Sequence, residues 1–404
     1  MKSLIDKYIR KLVSQGLADS ESTIFLALDA ELYSNKPLEG SGVREELEAL
    51  RKVFDLMNIN TIFFSRPLEP YKGIIKELTG NKTDRIIPMD CETRTFFHDI
   101  PVIDEFSPEA ISEALSHRKS AIIRDRGIIT YGVVTPEQAF VSFSSTCFST
   151  FVKYFYDSLI YFKECRLKDS LPDERYMMGF KKIISNLQPS ALGLKPLTST
   201  PPETEEDVIR MLSEAGRAVV EQRLVDSYFG NISYVFNKVI YISQTGSSLD
   251  ELDGCIDAVP LDGSSSTGIT ASSELSAHKN IYYATGDNAI LHGHPKFSVI
   301  MSLHCEIKDC PHYMDMDYCY RKCREKRYVA GVPVVSGEIG TGPAGLMNTV
   351  PEAMKEGKGT IVFGHGVFTS GRDDFNSPFQ RLSEIEEECK KIYFHSIEKL
   401  GIIV

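Results

Sequence analysis

Two blocks of this chain repeat, and that repetition constrains the fold more than any single motif. With Pro67 set under Pro295, an offset of 228 residues, EELEALRKVFDLMNINTIFFSRPLEPYKGII (45–75) lies against SELSAHKNIYYATGDNAILHGHPKFSVIMSL (273–303) without a gap. SAIIRDRGIITYG (120–132) lies against GTIVFGHGVFTSG (359–371) at an offset of 239, which also carries Tyr154-Phe155 onto Tyr393-Phe394. The extra length in the second copy falls between the two blocks. A repeat of domain length implies one fold duplicated, not a solenoid of short units.

At 404 residues two domains of ordinary size are expected. Leu4, Ile5, Tyr8, Ile9, Leu12 and Val13 share one helical face within residues 1–18. Strands are predicted at 23–32, 60–65, 100–103 and 120–129, with helices at 43–57, 70–79 and 136–162. Residues 167–203, rich in Pro, Ser and Thr after Gln188, read as a linker or crossing segment. A near capping box, Thr204 with Asp207, then opens a helix striped by Val208, Ile209, Leu212, Ala215, Val219 and Val220. Strands SYVF and VIYIS meet at Asn237-Lys238, and a strand at 256–261 and a helix at 274–285 follow. A strand ending in His292 and a helix from Pro295 come next. Strands alternating with helices at this spacing make an α/β layered protein. The domains are expected at 1–166 and 204–404. The first copy is expected to lack a counterpart of Gly230–Ser248.

A formal charge of −11 argues against a nucleic-acid binder, which needs a basic face. The one basic run, Arg321–Arg327, reads as a solvated helix face. The first residues, MKSLIDKYIRKLV, carry charges throughout and lack the apolar core of a signal peptide. No apolar run approaches the length that crosses a bilayer. Nine cysteines in such a chain are expected to be reduced thiols or metal ligands, and the expected location is cytoplasmic, with no membrane partner.

The copies matter most where they differ. His292 falls on Phe64, His294 on Arg66 and His365 on Arg126. Strand alternation puts His292 and His294 on one face, with Gly293 between them pointing away. Taken alone, such a pair is equally well explained as two surface histidines. The joint replacement of three histidines fits the loss of one shared function. Three imidazoles and an open position suit a catalytic divalent metal, usually zinc, and arginine cannot ligate a cation. Glu274 stands at a helix start within reach of a strand-end site. Compensation of the helix dipole explains that position too, and Glu46 at the same repeat position keeps that reading open.

The ordered set Gly230-Asn231-Ile232-Ser233, Thr245-Gly246, Ser272-Ser273-Glu274, His292-Gly293-His294-Pro295 and His365-Gly366 resembles the class II aldolase/adducin-type family, which includes L-fuculose-1-phosphate aldolase and L-ribulose-5-phosphate 4-epimerase. The resemblance covers roughly Glu205 onward and, in degenerate form, residues 20 to 160. It implies two tandem three-layer α/β/α domains, each with a central, mainly antiparallel sheet, the N-terminal copy being degenerate. It implies Zn2+, or another divalent transition metal, on His292, His294 and His365, with Glu274 as fourth resting ligand and then acid/base. It assigns Asn231, Thr245, Gly246, Ser272 and Ser273 to a substrate phosphate. The implied activity is an aldolase-type lyase on a small phosphorylated sugar or keto substrate, through a metal-stabilised enediolate. A 4-epimerase or dehydratase on the same site and a non-catalytic adducin-like module are the alternatives. Glutamate at 274 leans to the aldolase side, since the family's epimerases place aspartate there. A homo-oligomer with sites near subunit or domain interfaces is also implied. The chain departs from the family at Ser243-Gln244, where Thr-Pro is usual, and in its insert. Tyr393 is a poor candidate for the second acid/base, because Tyr154 occupies the same place in the first copy.

Cys305, Cys310, Cys319 and Cys323 could form a structural zinc site or remain reduced thiols, and their spacing is looser than that of zinc fingers. Gly340-Thr341-Gly342-Pro343-Ala344-Gly345 matches a dinucleotide fingerprint in form only. Pro343 interrupts the turn, Pro351 sits in the next helix, and no acidic residue follows a second strand.

Overall fold

The computed structural model describes residues 1–37, 42–80, 82–187, 194–225, 228–264, 269–338, 342–357 and 359–400. It divides into two compact units, Met1–Gln188 and Pro189–Ile403. Among the described residues no helix is long and apolar enough to cross a membrane.

In the first unit the order is α1 (Lys2–Ser14), β1 (Ala18–Asp29), β2 (Glu31–Ser34), α2 (Arg44–Leu56), β3 (Thr61–Pro67), α3 (Tyr71–Leu78), β4 (Arg85–Ile86), α4 (Cys91–Phe97), β5 (Ile100–Ile103), α5 (Pro108–His117), β6 (Ser120–Ile123), β7 (Gly127–Gly132), α6 (Pro136–Leu167) and α7 (Glu174–Ser185). The second unit continues with α8 (Glu205–Glu221), β8 (Asn231–Phe236), β9 (Val239–Ser243), β10 (Ile256–Pro260), α9 (Leu275–Thr285), β11 (Ala289–Gly293), α10 (Lys296–Leu303), α11 (Met316–Arg321), β12 (Arg327–Val329), β13 (Val332–Val335), α12 (Leu346–Met354), β14 (Gly359–Val362), β15 (Gly366–Gly371) and α13 (Asn376–Glu398).

The sheets run β2-β1-β3-β7-β6-β5-β4 and β10-β9-β8-β11-β15-β14-β13-β12. Each is antiparallel except for one pair, β5 with β6 and β13 with β14, at the same place in the order. The registers agree residue by residue. Phe64 faces Ile129 across β3 and β7, and His292 faces Phe368 across β11 and β15. A Cβ on Gly127 would fall 2.4 Å from the Ser65 carbonyl oxygen, and one on Gly366 would fall 2.4 Å from that of Gly293. Glycine is thus fixed at the same crossing of strands in both copies. The fold is a tandem pair of α/β domains of one topology.

Three expectations change. The first copy does have partners for β8 and β9. Strands β1 and β2 fill those sheet positions, and Ile24 faces Phe64 as Asn231 faces His292. Strand pairing needs only the right alternation of buried side chains, so the site residues of the second copy left no trace there. The apolar run 120–129 is a hairpin, turned at Asp125 in the left-handed region (φ 56°). Within 167–203, residues 174–185 are helical, capped by the Asp173 carboxylate, which accepts from the Tyr176 N–H. Phe180 of α7 is fully buried, its ring 4.9 Å from that of Phe162. Truncating Phe180 to alanine is expected to destabilise the first unit by about 3–5 kcal/mol, read by urea unfolding.

The four clustered cysteines are free thiols, and burial pushes the Cys319 thiol up to about 11. Among the described residues none of them joins three donors within 4.8 Å. Gly340 and Thr341 of the fingerprint-like run lie outside the described residues. Gly345 caps α12, which contains Pro351.

Candidate metal centre

Ala289-Ile290-Leu291 holds β11 in the middle of the sheet, between β8 and β15, every residue buried. That strand delivers His292 to the face that also carries Ile290. The β14–β15 turn delivers His365, and Glu274 is the residue that caps α9. His292, His294 and His365 are buried, and each offers a nitrogen within 4.8 Å of the other two. His292 Nε2 lies 2.9 Å from His294 Nε2 and 3.5 Å from Glu274 Oε2. His365 Nε2 lies 3.2 Å from Glu274 Oε1. The Cβ absent from Gly366 would fall 2.9 Å from His292 Cε1 and 3.2 Å from His294 Cδ2, so the rings close over a glycine.

These residues fit a divalent cation. Tetrahedral zinc with bonds of about 2.0–2.1 Å spaces its donors by roughly 3.3 Å, close to the separations here. His292 Nδ1 sits 3.1 Å from the Val367 carbonyl oxygen, so Nδ1 carries the proton and the Nε2 lone pair faces the carboxylate. His294 Nδ1 is buried with no hydrogen-bond partner among the described residues. Burial takes His292 down to about 4 and His294 well below the ordinary imidazole value, so both are neutral at pH 7. Burial opposes the charge on Glu274, yet His292, His365 and Asn231 together hold its carboxyl well below the usual range. Lone pairs facing a carboxylate repel unless a cation lies between them: a shared proton, which is what lowers Glu274, or a metal ion in its place.

A buried polar chain backs the carboxylate. Asn231 Nδ2 donates to Glu274 Oε2 (2.7 Å), and His278 Nε2 donates to Asn231 Oδ1 (2.5 Å). Ser233 Oγ donates to His278 Nδ1 (2.5 Å) and accepts from the Tyr282 hydroxyl (2.5 Å). One proton order satisfies every link, because an amide oxygen only accepts. Burial keeps His278 neutral, down to about 3. Ser233→Ala would strand the Tyr282 hydroxyl and His278 Nδ1. It is expected to cost about 1–3 kcal/mol in urea unfolding while leaving the metal donors in place.

Sequence reasoning passed over His278 and Tyr282. The available signal was spacing: 274, 278 and 282 fall one turn apart on one helix face. The first copy places Glu46, Leu50 and Phe54 there, and opposite them Ile24 and Leu26 stand where the second has Asn231 and Ser233. Ile24, Leu26, Leu50, Phe54 and Phe64 belong to one hydrophobic cluster. The first unit has therefore replaced the polar chain and the His292 position with hydrocarbon.

Of the residues assigned to phosphate, four come together. The Thr245 N–H and hydroxyl donate to the carbonyls of Thr270 and Ala271, and the Ser272 N–H donates to the Ser243 carbonyl. This places Thr245-Gly246 beside Ser272-Ser273. Gly246 is left-handed (φ 73°) and open on its Cβ side, and Ser273 is exposed. Asn231 departs from that expectation. Its pairing opposite His292 turns its amide onto Glu274 and His278. Tyr393 is fully buried, packed 5.4 Å from the Phe297 ring.

Residues 210–393 match the family described as the Class II Aldolase and Adducin N-terminal domain. The match to the class II aldolase/adducin-type family thus falls within the second unit. Compared with curated proteins, the chain matches none. Among solved structures it is similar to L-fuculose-1-phosphate aldolase from Thermus thermophilus, at 21% identity, covering 48% of this chain and 95% of that one, with a TM-score of 0.39. It is similar also to a sugar-phosphate aldolase from Thermotoga maritima (18% identity, 48% and 96% covered, TM-score 0.35). A third is the N-terminal Class II Aldolase domain of a conserved protein from Thermoplasma acidophilum (14% identity, 50% and 99% covered, TM-score 0.33).

Proposed function

We propose that the second unit is a divalent-metal-dependent lyase of the aldolase type, acting on a small phosphorylated sugar or keto compound. His292, His294 and His365 would hold the metal, zinc first among the candidates, with Glu274 completing the resting set. The convergence of these four donors in one buried cluster carries the reading. When bound, the metal supplies Lewis-acid polarisation of the substrate's adjacent oxygens.

The chain's own residues do the rest. Glu274, kept ionised, takes the proton that leaves as the carbon–carbon bond breaks and returns it afterwards. Asn231 holds Oε2 of that carboxylate, and His278, Ser233 and Tyr282 lock the amide in one orientation. The N–H groups of Gly246 and Ser273 and the hydroxyls of Ser272 and Ser273 offer an anion subsite that needs no lysine. A non-catalytic module would have no use for this polar set, and the first copy shows the same fold built with apolar residues in its place. We include a homo-oligomer in the proposal, to be measured by light scattering.

The test is elemental analysis of the purified protein, followed by a panel of phosphorylated ketoses assayed for aldehyde release. One metal per chain and carbon–carbon cleavage are expected. Metal far below one per chain would sink the proposal. Epimerisation without cleavage would move the reaction to the epimerase class on the same site.

A further inference from the structure

The first unit has lost the metal donors, yet it keeps a hollow where they would stand. About 220 Å³ in size, the hollow is lined by Arg66, Lys72, Lys76 and Arg126, with Asp125 the one acidic side chain. Arg66 sits near the end of β3 and Arg126 in the β6–β7 turn, joined through the pairing of Ser65 with Ile128. By the two repeat offsets these are the positions of His294 and His365. Lys72 and Lys76 lie one turn apart on α3.

We propose that this hollow is a binding site for a small phosphate monoester. Four cations converge there in a chain whose net charge is −11. Among the described residues none of the four side chains makes an ion pair or hydrogen bond. The neighbouring Arg124, by contrast, is fully engaged with Asp104 and with the carbonyls of Thr79 and Thr83. Arg126 makes one aromatic contact, its guanidinium carbon 5.3 Å from the centre of the Phe106 ring. Like charges one helical turn apart repel, and a doubly charged ligand relieves that repulsion. Guanidinium forks match phosphate oxygens in pairs, and the two lysines add point charges. Pro67, Ile75 and Ile123 supply an apolar wall for a short carbon skeleton. The volume falls below the ~300–1,000 Å³ of pockets for drug-sized ligands, which favours a small molecule. The site does not depend on the metal reading of the second unit.

Hydrogen–deuterium exchange on the full chain tests this, with inorganic phosphate, ribose 5-phosphate and plain ribose as probes. The two phosphates are expected to protect peptides covering 66–78 and 120–128, and ribose is expected to leave them unchanged. Arg66→Gln with Arg126→Gln should weaken the response of these peptides about tenfold or more, and Lys72→Gln with Lys76→Gln should weaken it from the other element. Protection confined to peptides around 243–246 and 270–275 would overturn the proposal, because the ligand would then sit in the second unit. Equal protection by chloride at matched ionic strength, or unchanged binding in both double variants, would overturn it as well.

Discussion

Replacing His294 by alanine is expected to strip the second unit of its metal and abolish turnover, with the fold intact. His294 supplies one of three buried imidazole donors, its Nε2 2.9 Å from that of His292. Losing a partner behind a metal ligand typically costs about 10–100-fold in affinity, so losing a ligand should cost at least about 100-fold. The fold should survive, because His294 Nδ1 makes no hydrogen bond among the described residues and α10 is held by its own apolar residues. Chelation provides the sharper readout. A metal that binds only the folded chain stabilises it by about 4 kcal/mol at a thousandfold excess over Kd. Chelator should therefore lower the Tm of the wild type and leave that of His294→Ala unchanged. A wild type indifferent to chelator would remove the metal from the account.

Glu274→Gln is expected to separate chemistry from binding. Glutamine keeps the shape and can still accept the Asn231 amide, but it cannot carry the proton. Metal content should stay near that of the wild type, since three imidazoles remain and the glutamine amide oxygen can take the carboxylate's place as a neutral donor, while kcat falls about 10²–10⁴-fold with little change in KM. Glu46→Gln is the internal control. The same repeat position in the first unit lies in the first turn of α2, one turn before the apolar Leu50, and its substitution should leave kcat unchanged. Equal losses from the two substitutions would mean that Glu274 acts through the helix alone.

Much of the site was legible because duplication supplied a comparison inside one chain. His365 sits in an ordinary Gly-His-Gly turn, and only the loss of its counterpart at Arg126 singles it out. The hairpin at Asp125 was not legible, since an apolar run with a charged centre reads as one strand until its backbone turns at a positive φ. The helix 174–185 was hidden by the Pro-rich tail that follows it.

The sequence by itself determined the two copies and the layered α/β class, and it nominated His292, His294 and His365 through the repeat and strand alternation and Glu274 through the family resemblance. Only the tertiary structure decided that β1 and β2 stand in for β8 and β9, that Asn231 serves Glu274 through a chain reaching Tyr282, and that Arg66 and Arg126 face the same hollow as Lys72 and Lys76. Those relations depend on which residues face one another across paired strands. That register is set by the burial of whole sheet faces, so it is absent from any single segment.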